Sequence, residues 1–197
     1  MTDPLPGGPT GEDLARALRA DAPGALDAWF RAEHPRVWKL CFALLADAAE
    51  ADDVAQDAML HLHDRLESWD DRGPYRAWRS TVVANLCRDR RRRTGARRSA
   101  EREAAALGLP ARLPDPDAPA RAKEAREALR CALAALPERE REAFVLRDLE
   151  GVGTRETAEV LGVTPSTVRS LATLARRRLR ELLAVRVPGL LPEGGEL

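Results

Sequence analysis

The sequence predicts an all-α fold of two small helical domains joined by a flexible linker, and three observations carry that prediction. Apolar residues recur at helical spacing: Val37, Leu40, Cys41, Leu44 and Leu45 fall on one stripe of a single helix. No stretch shows the strict apolar–polar alternation of a half-buried strand. Four prolines are gathered within thirteen residues at 107–119 (LGLPARLPDPDAP). Interior proline removes a donor and clashes with the preceding turn, so helical structure has to break there.

The elements follow in order. Residues 1–11 are rich in Pro and Gly and are expected to be disordered. A first domain spans 12–98. In it the stripe at 36–46 is followed by an amphipathic helix over 50–69, with Val54, Ala58, Leu62 and Leu66 four apart. The turn Asp70-Asp71-Arg72-Gly73-Pro74 leads into a third stripe of Tyr75, Trp78, Val82 and Leu86. The linker is placed at 99–127, Pro-rich at 110–119, with helix resuming at 120–136. Pro137 and Glu138 open another helix in the position where proline is tolerated. The second domain covers 128–185, and the tail 186–197 is again rich in Pro and Gly and expected to be flexible.

Within the second domain, residues 155–161 form a short helix with Ala158 and Leu161 inward. Gly162 stands where a helix C-cap takes a positive φ. Thr164 is a suitable N-cap and Pro165 a suitable first residue for the next helix, whose stripe is Val168, Leu171, Ala172, Ala175, Leu179 and Leu182. Two helices joined by a short Gly-containing turn make a helix-turn-helix, whose second helix enters the DNA major groove. Thr164, Ser166, Thr167, Arg169 and Ser170 are the donors at its leading end. Arg176 and Arg177, followed by Arg178 and Arg180, suit phosphates.

Lys plus Arg and Asp plus Glu both number 32 in the 197 residues, which excludes a uniformly basic coat but leaves room for local patches. Such patches exist. Between Asp47 and Asp71 there are nine acidic residues and one basic residue, Arg65, whereas Arg88–Arg98 holds seven arginines and one aspartate. Opposite charge on successive helices implies two partners, one basic and one a phosphate backbone. Trp69, Tyr75 and Trp78 precede the arginines and offer a surface for unstacked bases, against a core role for Trp78, Val82 and Leu86 on one face. Cys41, Cys87 and Cys131 form no C-x-x-C pair, which fits a reducing cytosol. No apolar run approaches the ~18–20 residues of a membrane span, and the N-terminus lacks the parts of a signal peptide. A cytoplasmic protein without membrane insertion is expected.

Three ordered motifs resemble the extracytoplasmic-function (ECF) sigma factors, bacterial transcription initiation factors with regions 2 and 4 alone. ADDVAQDAMLHLH at 51–63 and YRAWRSTVVANLCRDRRRR at 75–93 are similar to region 2; LPEREREAFVLRDLEG at 136–151 and TAEVLGVTPSTVRS at 157–170 are similar to region 4. The resemblance implies that the first domain is region 2, binding core RNA polymerase and the −10 element, and the second is region 4, binding the −35 element. It carries core-polymerase binding onto Asp53, Gln56 and Asp57. It carries melting and holding of the −10 strand onto Trp78, Asn85, Arg88, Asp89, Arg91, Arg92 and Arg93. Core RNA polymerase, promoter DNA and an anti-sigma factor are the implied partners, with no cofactor and no small-molecule substrate. The chain departs from the family at Arg79, where leucine is usual, at Thr157, where isoleucine is usual, and at Leu171 and Leu174 on the recognition helix.

Other chemistries have less support. Asp57, His61 and Asp64 lie three or four apart, but one helix supplies too few metal ligands, so no metal is expected. No nucleophile motif or phosphate-cradling glycine loop is present, so an enzyme is not expected. The alternative is a helix-turn-helix regulator that acts without core polymerase.

Overall fold

The computed structural model describes residues 9–70, 73–101 and 120–186, and among them every regular element is helical. The Pro-rich part of the linker (110–119), most of the N-terminal segment assigned to disorder and nearly all of the C-terminal tail lie outside the described residues, while 120–127 of the linker belong to helix.

Helix α1 (Gly11–Arg19) starts with a capping box: the Thr10 hydroxyl accepts from the Asp13 amide, and the Asp13 carboxylate accepts from the Thr10 amide at 2.9 Å. Helix α2 (Ala25–Leu45) begins eleven residues before the stripe that announced it. It runs through Pro35, which is exposed, while buried Trp29 and Val37 anchor the helix on either side. Tertiary burial here outweighs the helix-breaking tendency of one proline. Helix α3 (Ala48–Asp64) is capped by Asp47, whose carboxylate accepts from the Glu50 amide at 3.0 Å. The expected continuation to residue 69 is replaced by a 3₁₀ turn (Leu66–Ser68), which delivers Leu66 and Trp69 to the core. Helix α4 (Tyr75–Glu101) follows, and Glu12 of α1 accepts from its first amide.

The first domain packs α1 to α4 around Trp29, Val37, Leu40, Leu44, Val54, Met59, Leu62, Trp69, Tyr75 and Val83. The buried Trp29 indole donates to the Tyr75 hydroxyl at 2.8 Å, giving both polar ends a partner. Burial, reinforced by the charge of Glu33, pushes the Tyr75 phenol well above its ordinary range.

The second domain holds α5 (Ala120–Ala135), α6 (Glu138–Phe144), α7 (Thr154–Leu161) and α8 (Pro165–Arg186). Its core groups Leu133, Leu136, Phe144, Ala175, Leu179 and Leu183. Between α6 and α7 the chain makes one π-helical turn, Val145–Leu149. Val145, Leu146, Val152, Val160 and Leu161 join the apolar cluster of the first domain, so the two helical domains meet across a shared seam. Thr157 is fully buried and its hydroxyl has no hydrogen-bond partner. Thr157→Val replaces that hydroxyl by a methyl group and is expected to raise stability by about 1 kcal/mol, read as a higher urea midpoint with unchanged slope.

Candidate nucleic-acid interface

The helix-turn-helix has the local geometry its sequence implies. Gly162 ends α7 with φ +64°, and the Val163 amide returns to the Ala158 carbonyl at 3.0 Å, a Schellman closure. The Thr164 hydroxyl then accepts from the Thr167 amide at 3.2 Å and caps α8. Space around Gly162 is open, so only the backbone opposes a side chain there. Gly162→Ala is therefore expected to cost about 1–2 kcal/mol, measurable by urea unfolding.

Val168, Ala172, Ala175 and Leu179 bury one face of α8, leaving Thr164, Ser166, Thr167, Arg169 and Ser170 together on the exposed leading face. Leu171 packs against the apolar cluster that the two domains share and Leu174 is half-buried, so both have a place in packing. Of the two phosphate candidates, Arg177 is exposed, while Arg176 pairs with Asp148 at 2.6 Å.

On α3 the pattern separates cleanly. Val54, Ala55, Ala58 and Met59 are buried, and Asp53, Gln56 and Asp57 are exposed. Leu60 stands 65% exposed beside them, an apolar centre for the acidic surface that the sequence reading did not single out. Asp53 meets Arg90 of α4 at 2.8 Å. His61, His63 and Asp64 are exposed farther along, and among the described residues no group of three or more such side chains is placed to hold a metal ion.

The α4 candidates divide. Asn85, Asp89, Arg92 and Arg93 are exposed, with Arg92 3.9 Å from Asp89. Trp78 is half-buried, 5.7 Å from the Tyr75 ring. Trp69 and Tyr75 are core residues, so they offer no stacking surface. Arg88 donates to the Leu161 carbonyl, and Arg91 reaches Glu142 at 3.0 Å, Glu138 at 3.1 Å and the Leu44 carbonyl. These two arginines point into the seam between the domains.

Sequence reasoning missed the carboxylates that receive α4. Arg79 is buried, 2.8 Å from both Glu33 and Glu150. Ser80 donates to Glu150 at 2.7 Å and Thr81 to Glu156 at 2.9 Å. The departure from leucine at 79 was the available signal. Burial raises the Glu142 carboxyl above its ordinary value against the pull of Arg91, and burial beside Arg91 pushes Arg141 down to about 10. Both shifts are the expected result of charges taken out of water.

Residues 29–97 match the family described as Sigma-70 region 2, and residues 126–179 match Sigma-70, region 4. The chain is 35% identical over 159 residues to the ECF RNA polymerase sigma factor SigM of Mycobacterium tuberculosis, covering 81% of this chain and 77% of that protein. It is 30% identical over 179 residues to SigE, an ECF RNA polymerase sigma factor of Mycolicibacterium smegmatis, covering 89% and 68% respectively. Among solved structures, the sigma factor RpoE in complex with the anti-sigma factor NepR from Bartonella quintana aligns with a TM-score of 0.62 at 22% identity. That alignment covers 82% of this chain and 98% of that one.

Proposed function

The chain belongs to the ECF sigma factors, and from that premise we propose how its exposed surfaces share the work of transcription initiation. Domain boundaries at 12–98 and 128–185 give it one region 2 and one region 4. The acidic face of α3, with Asp53, Gln56 and Asp57 around Leu60, docks on core RNA polymerase. Asn85, Asp89, Arg92 and Arg93, with Trp78 and, once turned outward, Arg88 and Arg91, hold the opened −10 strand. The leading end of α8 reads the −35 element through Thr164, Ser166, Thr167, Arg169 and Ser170, while Arg176 and Arg177 meet phosphates.

The mechanism is differential binding without bond chemistry. Each region binds weakly, and tethering turns the second contact into an intramolecular event at high effective concentration. Strand separation follows from preferential binding to the unstacked form. An anti-sigma factor is a further proposed partner, since RpoE is solved with NepR. The proposed location is the cytoplasm; no helix among the described residues is long and apolar enough to cross a membrane.

The observation that carries this reading is the ordered pair of region 2 and region 4 matches in one chain. A regulator acting without polymerase has no need of the first, and is not favoured. The test is co-elution of the purified protein with bacterial core RNA polymerase at moderate salt. A stable complex that opens promoter DNA is expected. Binding to duplex DNA without binding to polymerase would overturn it. Arg92→Glu is expected to leave the polymerase complex intact, weaken promoter DNA binding and flatten its salt dependence, as read by titrations at several salt concentrations.

A further inference from the structure

Helices α2 and α4 run parallel, and a constant offset in sequence pairs their facing residues. The Trp29 indole meets the Tyr75 hydroxyl at 2.8 Å across 46 positions, and Arg79 meets Glu33 at 2.8 Å across the same 46. Farther along, Arg91 reaches the Leu44 carbonyl across 47. Between these hydrogen bonds the seam is apolar. Val37 and Val83, both without solvent exposure, stand at the offset set by the first pairs. One turn on, at that same offset, stand Cys41 and Cys87.

Both of these thiols are buried and free, and they hydrogen-bond to each other. The contact with Cys41, together with burial, pushes the Cys87 thiol well above its ordinary range. The remaining cysteine, Cys131, is half-buried on α5. Packed helix axes lie about 8–10 Å apart, with Cα atoms about 2.3 Å from each axis. Facing Cα atoms therefore approach to roughly 3.5–5.5 Å, which overlaps the span of a disulfide.

We propose that Cys41 and Cys87 form a dithiol site that a hydroperoxide oxidises to a disulfide, stapling α2 to α4 inside the first domain. One sulfur, as thiolate, attacks a peroxide oxygen; the O–O bond breaks, and the far oxygen leaves as water or an alcohol once protonated. The second sulfur then attacks the sulfenic acid; the S–O bond breaks, and the hydroxyl leaves as water with the second thiol's proton. With hydrogen peroxide, two thiols give one disulfide and two waters, and two electrons pass from sulfur to oxygen. Burial selects the oxidant. A buried thiol reacts slowly, and a small uncharged peroxide enters on a local opening that excludes a bulkier disulfide. The link closes a long loop and so constrains the unfolded chain. It lies away from the exposed side chains of α3 and α4, so it acts on how long the fold persists rather than on what the surface binds.

The experiment exposes the full folded chain to hydrogen peroxide, blocks remaining thiols, digests without reductant and weighs the peptides. The expected product is a peptide pair joined through Cys41 and Cys87, two hydrogens lighter than the separate peptides and split by dithiothreitol. The oxidised chain is expected to melt about 10 °C above the reduced one in a thermal scan. Cys131→Ser is expected to keep both the link and the shift, and Cys87→Ala to lose both. Should Cys87→Ala fail to fold, the peptide masses from the unaltered chain decide the link by themselves. Thiols that stay free, or that pass to sulfinic acid without joining, would overturn the site. A link from Cys131 to either partner in place of the pair would overturn it too. A joined pair that melts no higher than the reduced chain would overturn the staple.

Discussion

Arg79→Leu is expected to lose about 3 kcal/mol of stability, although leucine is the residue that the family resemblance places there. Glu33 has no solvent exposure and is held by Arg79 at 2.8 Å and by the half-exposed Arg36 at 2.7 Å. Removing Arg79 leaves a buried carboxylate with one peripheral partner, and an uncompensated buried charge costs far more than an intact pair contributes. The Arg36 contact keeps the loss near the lower end of the range. Urea unfolding measures it. The double variant Arg79→Leu, Glu33→Leu is expected to recover most of the loss, because apolar groups of similar volume replace both charges. A double variant no more stable than the single one would mean that the pair is not the cause.

Asp57→Lys is expected to abolish detectable binding to core RNA polymerase under conditions where the unaltered protein co-elutes. Asp57 is exposed on α3 and makes no ion pair among the described residues, so the substitution leaves the fold alone. Lysine is also a good helix former. Reversing one member of a close interfacial charge pair costs about 2–5 kcal/mol, roughly thirty- to several-thousand-fold in affinity. Gel filtration with core polymerase, with circular dichroism as the folding control, reads the result. Retained binding would remove Asp57 from the docking surface.

The helical architecture was legible because it is written locally. Apolar spacing marks α3, α4 and α8, and the Gly162-Val163-Thr164 turn needs only the steric freedom of glycine and the capping oxygen of threonine. The exposed placement of Asp53, Gln56 and Asp57 accords with the same periodicity, since the positions between and just after them carry Val54, Ala55 and Ala58. Longer-range features were not legible. The start of α2 at Ala25 was hidden by Pro35, because a local breaking signal says nothing about the burial of Trp29 and Val37 on either side. Trp69 and Tyr75 read equally well as a base-stacking surface, and only the packing of α1 and α2 over them places them in the core. Arg88 and Arg91 look like any other arginines in a basic run. In the second domain the Leu161 carbonyl lies 73 positions from Arg88, and the Glu142 carboxylate lies 51 positions from Arg91. No periodicity within α4 encodes such a meeting.

The Leu44 carbonyl, at the end of α2, accepts from Arg91 and also from Arg141. The second of these contacts spans 97 positions of sequence. Synthesis runs from the N-terminus, and distant contacts form late because loop closure opposes them. Nascent region 2 therefore emerges with α1 to α4 before the helix that carries Arg141 is free to dock. The contacts that join the two domains at this carbonyl are among the last that the chain forms, made only after each domain has its own helices.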